Sequence, residues 1–235
     1  MIIAEVGQAH EGSLGIAHSY VDALATIGVD AVKFQVHCAS SESSKYEKFR
    51  VNFSYEDDNR YDYWKRMEFT LDQWLGLKDH CEKLNVEFLA TPFSVKAVEW
   101  LESLNVARYK IGSGDTDNLL LHKIVSETRK PVIISTGLSN LDEVDRAVNF
   151  YKSKYIDISV LQCTTSYPTS PENFGLNCIN EYKERYDVPI GFSDHSGDIY
   201  AGLAATALGA EIIEFHISRP PDTIFQSRIS SQIYF

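Results

Sequence analysis

The segment that decides the fold begins Pro189-Ile190-Gly191-Phe192-Ser193-Asp194-His195 and ends Gly209-Ala210-Glu211-Ile212-Ile213-Glu214-Phe215-His216. Two short apolar runs, 189–193 and 211–216, flank one helical pattern over 199–208. A strand, a helix and a strand at this spacing form a βαβ unit whose strands lie parallel. Each run closes on a histidine, so both imidazoles stand at one rim of one sheet.

The same alternation runs through the rest of the chain. Strands are predicted at 2–6, 30–36, 86–91, 107–111, 131–136 and 157–163, and helices at 14–27, 71–84, 94–104 and 139–152. Gly28 and Gly209 follow helices where a C-terminal cap is expected. Pro131 and Pro189 sit at strand starts, where a missing N–H is tolerated. Eight strands with intervening helices predict an α/β chain closed into a (β/α)8 TIM barrel. A doubly wound open sheet competes, but no GxGxxG opens the first helix.

Composition agrees with one large core: 235 residues, 44% hydrophobic and 23% charged. A net charge of −11 argues against nucleic acid or an anionic membrane as a partner. A local lysine cluster in a cleft still permits an anionic substrate. No apolar run approaches the about 20 residues of a membrane span. Cys38, Cys81, Cys163 and Cys178 form no CxxC pair, and no signal peptide precedes the first strand. The expectation is a cytoplasmic protein with reduced thiols.

Two segments depart from the pattern. Residues 37–69 form a long insert after the second strand, rich in Ser, Tyr, Asp and Lys, with Tyr61, Tyr63 and Trp64 clustered. It reads either as a lid on the catalytic face or as a partly ordered surface excursion. After His216 no eighth helical pattern appears, so residues 218–235 are expected to be an atypical tail that leaves one strand uncovered.

Barrel chemistry gathers at the C-terminal ends of strands. Glu5, Lys33 with Gln35, Thr91 with Ser94, Lys110 with Ser113, Ser135 with Thr136, Gln162 to Thr164 with Tyr167, Ser193 to His195, and Glu214 with His216 all fall there. An ammonium group inside a barrel needs a partner, so Lys33 and Lys110 imply a bound anion. Ser and Thr beside Gly are often plain turn chemistry. Repeated at several strand ends beside two lysines, they suit phosphate and carboxylate oxygens. A lone histidine is more often structural than a ligand. Two on adjacent strand ends, with Asp194 and Glu214 near enough to orient the rings, point to a metal. Two imidazoles plus oxygens suit an open Mn²⁺ or Mg²⁺ site better than a closed structural Zn²⁺ site. His18, His37, His80 and His122 lack such company and read as surface or core residues, and His10 is left open.

In order along the chain these motifs resemble the sialic acid synthase family, including its spore-coat polysaccharide branch. They are Ile2 to Leu14, Val32-Lys33-Phe34-Gln35, Ala90 to Ser94, Tyr109 to Gly114, Ile134 to Gly137, Gln162 to Pro168, Gly191 to Ser196 and Ile213 to His216. The resemblance covers residues 1–217 and implies a phosphoenolpyruvate-dependent condensation with an N-acylated amino sugar, giving a 3-deoxy-2-keto sugar acid and phosphate. It implies phosphoenolpyruvate contacts at Lys33, Thr91, Lys110, Ser113, Ser135 and Ser193. It also implies a catalytic carboxylate at Glu5, sugar contacts at Gln35 and Tyr167, and metal ligation by His195 and His216.

The match departs from the family at three places. Asp115 stands where the family has Glu, which bears on the sugar subsite. Phe215 stands where it often has Lys. The family's Gly-Pro-Asp segment is compressed, with Pro221-Asp222 as a remnant. The expected organisation is a barrel domain over 1–217 without the family's C-terminal antifreeze-like domain, which reaches across a homodimer. Two other functions compete: a non-catalytic barrel that binds without turnover, and a metal-dependent aldolase or isomerase.

Overall fold

A computed structural model describes residues 1–49 and 54–217. The expected tail and the uncovered eighth strand concern residues 218–235, which lie outside the described residues. In chain order the elements are β1 (Ile2–Gly7), α1 (Leu14–Thr26), β2 (Ala31–Val36), α2 (Ala39–Glu42), α3 (Arg60–Met67), α4 (Leu71–Lys83), β3 (Glu87–Pro92), α5 (Val95–Ser103), β4 (Tyr109–Ile111), α6 (Leu119–Glu127), β5 (Val132–Ser135), α7 (Leu141–Ser153), β6 (Ile158–Cys163), α8 (Asn177–Arg185), β7 (Ile190–Asp194), α9 (Tyr200–Ala207) and β8 (Ile212–His216).

Local chemistry sets the helix starts. Ser13, Asn59, Ser94 and Asn118 each accept a hydrogen bond from a backbone N–H in the first turn of the helix that follows. Thr70 with Gln73 and Asn140 with Glu143 form full capping boxes. Gly28 and Gly209 take left-handed φ of +78° and +82° past α1 and α9, as expected of C-terminal caps.

All paired strands are parallel, in the order β3-β2-β1-β8-β7-β6-β5-β4. The two end strands, β3 and β4, lie side by side, so the sheet rolls into a nearly closed barrel. The first and last strands are hydrogen-bonded neighbours, which the open doubly wound alternative does not allow.

Period-two alternation sorts the strand residues into layers. Outward positions such as Ala4, Val6, Val32 and Phe34 join the apolar shell under the helices. Inward positions Ile3, Ala31, Leu89, Ile133, Leu161 and Ile212 form a separate apolar floor inside the barrel. Two residues further along the same strands come Glu5, Lys33, Thr91, Ser135, Cys163 and Glu214. The floor is apolar, and the next layer up carries the chemistry.

Gly191 completes the floor on β7. A Cβ there would sit 2.4 Å from Leu161 Cδ2 and 2.3 Å from the Ile212 carbonyl oxygen. Gly191→Ala is therefore expected to destabilise the barrel by about 1–3 kcal/mol through overpacking. Urea denaturation checks this, and an unchanged midpoint would mean the strands yield at no cost.

In its described residues the insert carries two helices. Its α2 and α3 bury Ala39, Tyr63, Trp64 and Met67 in a small apolar cluster of their own. Glu68 accepts from the Ala39 N–H at 3.0 Å, tying the start of α2 to the end of α3. Among the described residues no helix is long and apolar enough to cross a membrane.

Candidate active site

The polar layer holds two lysines and two carboxylates, all almost wholly buried. Lys33 Nζ lies 2.8 Å from Glu5 Oε2 and 3.7 Å from Glu214 Oε2. Lys110 Nζ lies 3.5 Å from Glu214 Oε1 and donates to Ser135 Oγ at 2.6 Å. Ser193 Oγ donates to Glu214 Oε1 at 3.0 Å, and Gln35 Nε2 donates to Glu5 Oε1 at 2.8 Å. Lys33 also reaches Thr91 Oγ1 at 3.5 Å.

This corrects one expectation. The lysines do not by themselves require a bound anion, because Glu5 and Glu214 supply the counter-charge from within. Ring closure causes the pairing: β1 lies between β2 and β8, which brings Glu5 and Glu214 round to Lys33.

The two carboxylates are tuned in opposite directions. Burial raises Glu5 above its ordinary value, and Lys33 only partly offsets this. For Glu214 burial is outweighed by the ammonium groups of Lys110 and Lys33, which hold it at about 2. Burial lowers Lys110, whereas Glu214 and Glu5 overcome burial at Lys33 and raise it. Carboxylates pushed apart in this way mark sites of acid–base chemistry.

His195 and His216 stand at the rim with ring centroids 5.1 Å apart and planes at 53°. In the neutral ring, His195 Nδ1–H donates to the Thr164 carbonyl at 2.8 Å, leaving Nε2 to accept from the Tyr167 hydroxyl at 2.9 Å. Here too an expectation is corrected. Asp194 and Glu214 do not orient the rings: Asp194 accepts from the Ser196 N–H at 2.8 Å, and Glu214 is held by the lysines and Ser193. Burial, the neighbouring His195 and Lys33 push His216 well below its usual value, so its ring is neutral. His195 is raised, because the Cys163 sulfur 3.7 Å from Nδ1 outweighs burial.

Among the described residues no group of three His, Cys, Asp or Glu side chains is arranged to hold a metal. Two rim imidazoles fit a divalent ion that takes its remaining ligands from substrate and water. The neutral, half-buried His216 and the Nε2 of His195 are the donors on offer.

One cleft collects Glu5, Lys33, Thr91, Lys110, Ser113, Ser135, Tyr167, Ser193, His195 and His216. Two expected site residues are not in its wall. Gln35 is buried beside Glu5 and acts on it by hydrogen bond. Asp115 is half-buried on a short turn after β4 and accepts from Asn118 Nδ2 at 2.9 Å.

The cleft also contains groups that the sequence reading did not assign to substrate or metal. Glu214 joins both lysines. Cys163 accepts from Ser113 Oγ at 3.5 Å. Thr165 presents a buried hydroxyl without a hydrogen-bond partner among the described residues. The period-two step from the floor residues Leu161 and Ile212 was the signal for Cys163 and Glu214.

Known proteins resemble this chain along most of its length. It is 34% identical over 225 residues to the N,N'-diacetyllegionaminic acid synthase of Campylobacter jejuni, covering 93% of this chain and 67% of that protein. It is 33% identical over 223 residues to the human N-acetylneuraminate-9-phosphate synthase, covering 92% and 61%. The chain thus spans about three fifths to two thirds of these relatives. The crystal structure of the N-acetylneuraminic acid synthetase of Leptospira borgpetersenii, in complex with citrate, superposes with a TM-score of 0.85 at 33% identity, covering 100% of this chain and 77% of that one. The model of the NeuB family matches residues 20–223, and the chain belongs to that family.

Proposed function

We propose that this barrel condenses phosphoenolpyruvate with an N-acylated amino sugar of the N-acetylmannosamine type, releasing phosphate and a 3-deoxy-2-keto sugar acid. The observation that carries the reading is the convergence of Lys33, Lys110, Ser113, Ser135, Ser193 and Thr91 on one cleft with Glu5 and the histidine pair. The sugar-acid synthases among its relatives support it.

In this reading the lysines and hydroxyls hold the phosphate and carboxylate of phosphoenolpyruvate. The enol carbon attacks the aldehyde carbon of the open-chain sugar, and the aldehyde oxygen gains a proton. Water adds to the phosphate-bearing carbon, left cationic by that attack, and phosphate departs with cleavage of its C–O bond. Glu5, held above the usual carboxylate range by burial, takes the proton from that water. His195 and His216 would hold Mn²⁺ or Mg²⁺, which supplies a Lewis acid for the aldehyde oxygen. Tyr167 faces the sugar side, Gln35 acts through Glu5 rather than by contact, Asp115 borders the acceptor side from outside the cleft wall, and a homodimer belongs to the same reading.

Phosphate release across a panel of N-acylated amino sugars tests the proposal. Release is expected only with phosphoenolpyruvate, sugar and divalent metal together. No release from folded protein on the whole panel would favour the non-catalytic barrel, and turnover without phosphoenolpyruvate would favour an aldolase or isomerase. His216→Ala is expected to abolish the stimulation by Mn²⁺. A metal dependence equal to that of the wild type would remove His216 from the ligand set.

A further inference from the structure

His37, the first residue of the insert after β2, reaches the cleft indirectly, through Gln35 and Glu5. The His37 ring is clamped between Trp64 of α3, at 3.7 Å between centroids and 15° between planes, and Phe93, at 4.4 Å and 11°. Both ring nitrogens face acceptors. The Glu42 carboxylate oxygens lie 3.0 and 3.1 Å from Nδ1, and Gln35 Oε1 lies 3.4 Å from Nε2.

The Gln35 amide has only one way round. A carboxylate accepts and never donates when ionised, so the amide N–H faces Glu5 at 2.8 Å. Oε1 must then face away from Glu5, toward His37 and Gln8, whose Nε2 donates at 3.0 Å. When both nitrogens of the His37 ring carry a proton, a continuous line of hydrogen bonds runs from Glu42 through His37 and Gln35 to Glu5.

The insert end of this line is rigid. Glu42 also accepts from the Cys38 N–H at 3.0 Å. Trp64, Tyr63 and Met67 are buried at 3%, 2% and 4% exposure. Helix α3 also abuts the loop after β1: a Cβ at Gly12 would stand 2.3 Å from the Arg66 carbonyl oxygen. A lid needs a face that detaches, whereas among the described residues the insert's apolar face is packed.

We propose that the insert is a bracket for the reactive carboxylate: Trp64 and Glu42 fix His37, His37 fixes the Gln35 amide, and Gln35 holds Glu5 in place. His37 is then a positioning residue. The proposal rests on the reading of Glu5 given above, and it identifies what holds Oε1 of that carboxylate in place.

The charged and titratable neighbours are few. Glu5 faces Lys33 on β2 and Glu214 on β8, with His216 its register partner on β8. His37 faces Glu42, and His10 from the loop after β1. The hydrogen bond from Gln35 favours ionised Glu5. Loosening it moves the Glu5 titration to higher pH.

His37→Phe tests this, because it keeps a flat ring between Trp64 and Phe93 and removes both hydrogen bonds. The readout that needs no turnover is the Glu5 side-chain carboxyl carbon, followed by ¹³C NMR and assigned by its loss in Glu5→Gln. Its titration midpoint is expected to rise in His37→Phe. In active protein, kcat is expected to fall about 10- to 100-fold, with the KM for phosphoenolpyruvate within about twofold and the acid limb displaced upward. Should His37→Phe not fold, Glu42→Gln carries the same test with a smaller displacement of the same sign. A folded variant whose Glu5 midpoint and kcat match the wild type overturns the bracket. Absence of turnover from the wild type counts against the condensation alone, because the carboxyl titration is independent of it.

Discussion

Glu214→Gln is expected to cost the folded barrel about 3–5 kcal/mol, the range for removing one partner from a buried ion cluster. Glu214 is the carboxylate that both lysines share, at 3.7 Å from Lys33 and 3.5 Å from Lys110. Without it Lys33 keeps Glu5, but among the described residues Lys110 keeps no carboxylate within ion-pair distance. The pH dependence has a definite sign. Its folded-state value of about 2 lies below the ordinary 4.5. Its contribution is therefore full above the unfolded value and is lost as pH falls from there toward 2. The wild type should lose stability across that window, and Glu214→Gln should lose less of it. Urea denaturation from pH 3 to pH 8 decides the matter. A variant within about 1 kcal/mol of the wild type at neutral pH would show that water or a shift of Lys110 solvates the unpaired ammonium group.

What could be read beforehand follows from the range of each signal. The eight strands announced themselves through local apolar runs, and the step from Ile3 to Glu5 or from Ile212 to Glu214 and His216 is visible without a fold. The internal neutralisation of Lys33 and Lys110 was not visible. It depends on ring closure, which sets strands from opposite ends of the chain side by side. In the insert, Tyr63, Trp64 and Met67 do share a helical face, but what they cover is Ala39 and the His37 ring, contributed by a separate stretch. His37 therefore read as an ordinary surface or core histidine. Its hydrogen bonds to Glu42 and Gln35 appear only when the insert is folded back against β2.

Glu5→Gln is expected to lower kcat by about 10²- to 10⁴-fold, the usual contribution of a positioned general base, with little change in the KM for phosphoenolpyruvate. The cause is chemical, because an amide keeps the size of the side chain and its contact with Gln35 but cannot take a proton from water. Burial holds the Glu5 carboxyl above its ordinary value in spite of Lys33. The working, ionised form is therefore lost as pH falls through that raised value, and the variant should lack this acid limb. The same raised value means that ionised Glu5 opposes folding at neutral pH, while its protonated form favours folding at low pH. Glu5→Gln should accordingly fold about as well as the wild type, with Lys33 still 3.7 Å from Glu214. The two carboxylates of one buried cluster thus separate in experiment: loss of rate without loss of stability at Glu5, and loss of stability at Glu214. Steady-state kinetics beside urea denaturation of both variants tests the separation. Turnover of Glu5→Gln within about threefold of the wild type, with its acid limb intact, would assign the proton transfer to another group, since so small a change lies well below what a positioned base contributes.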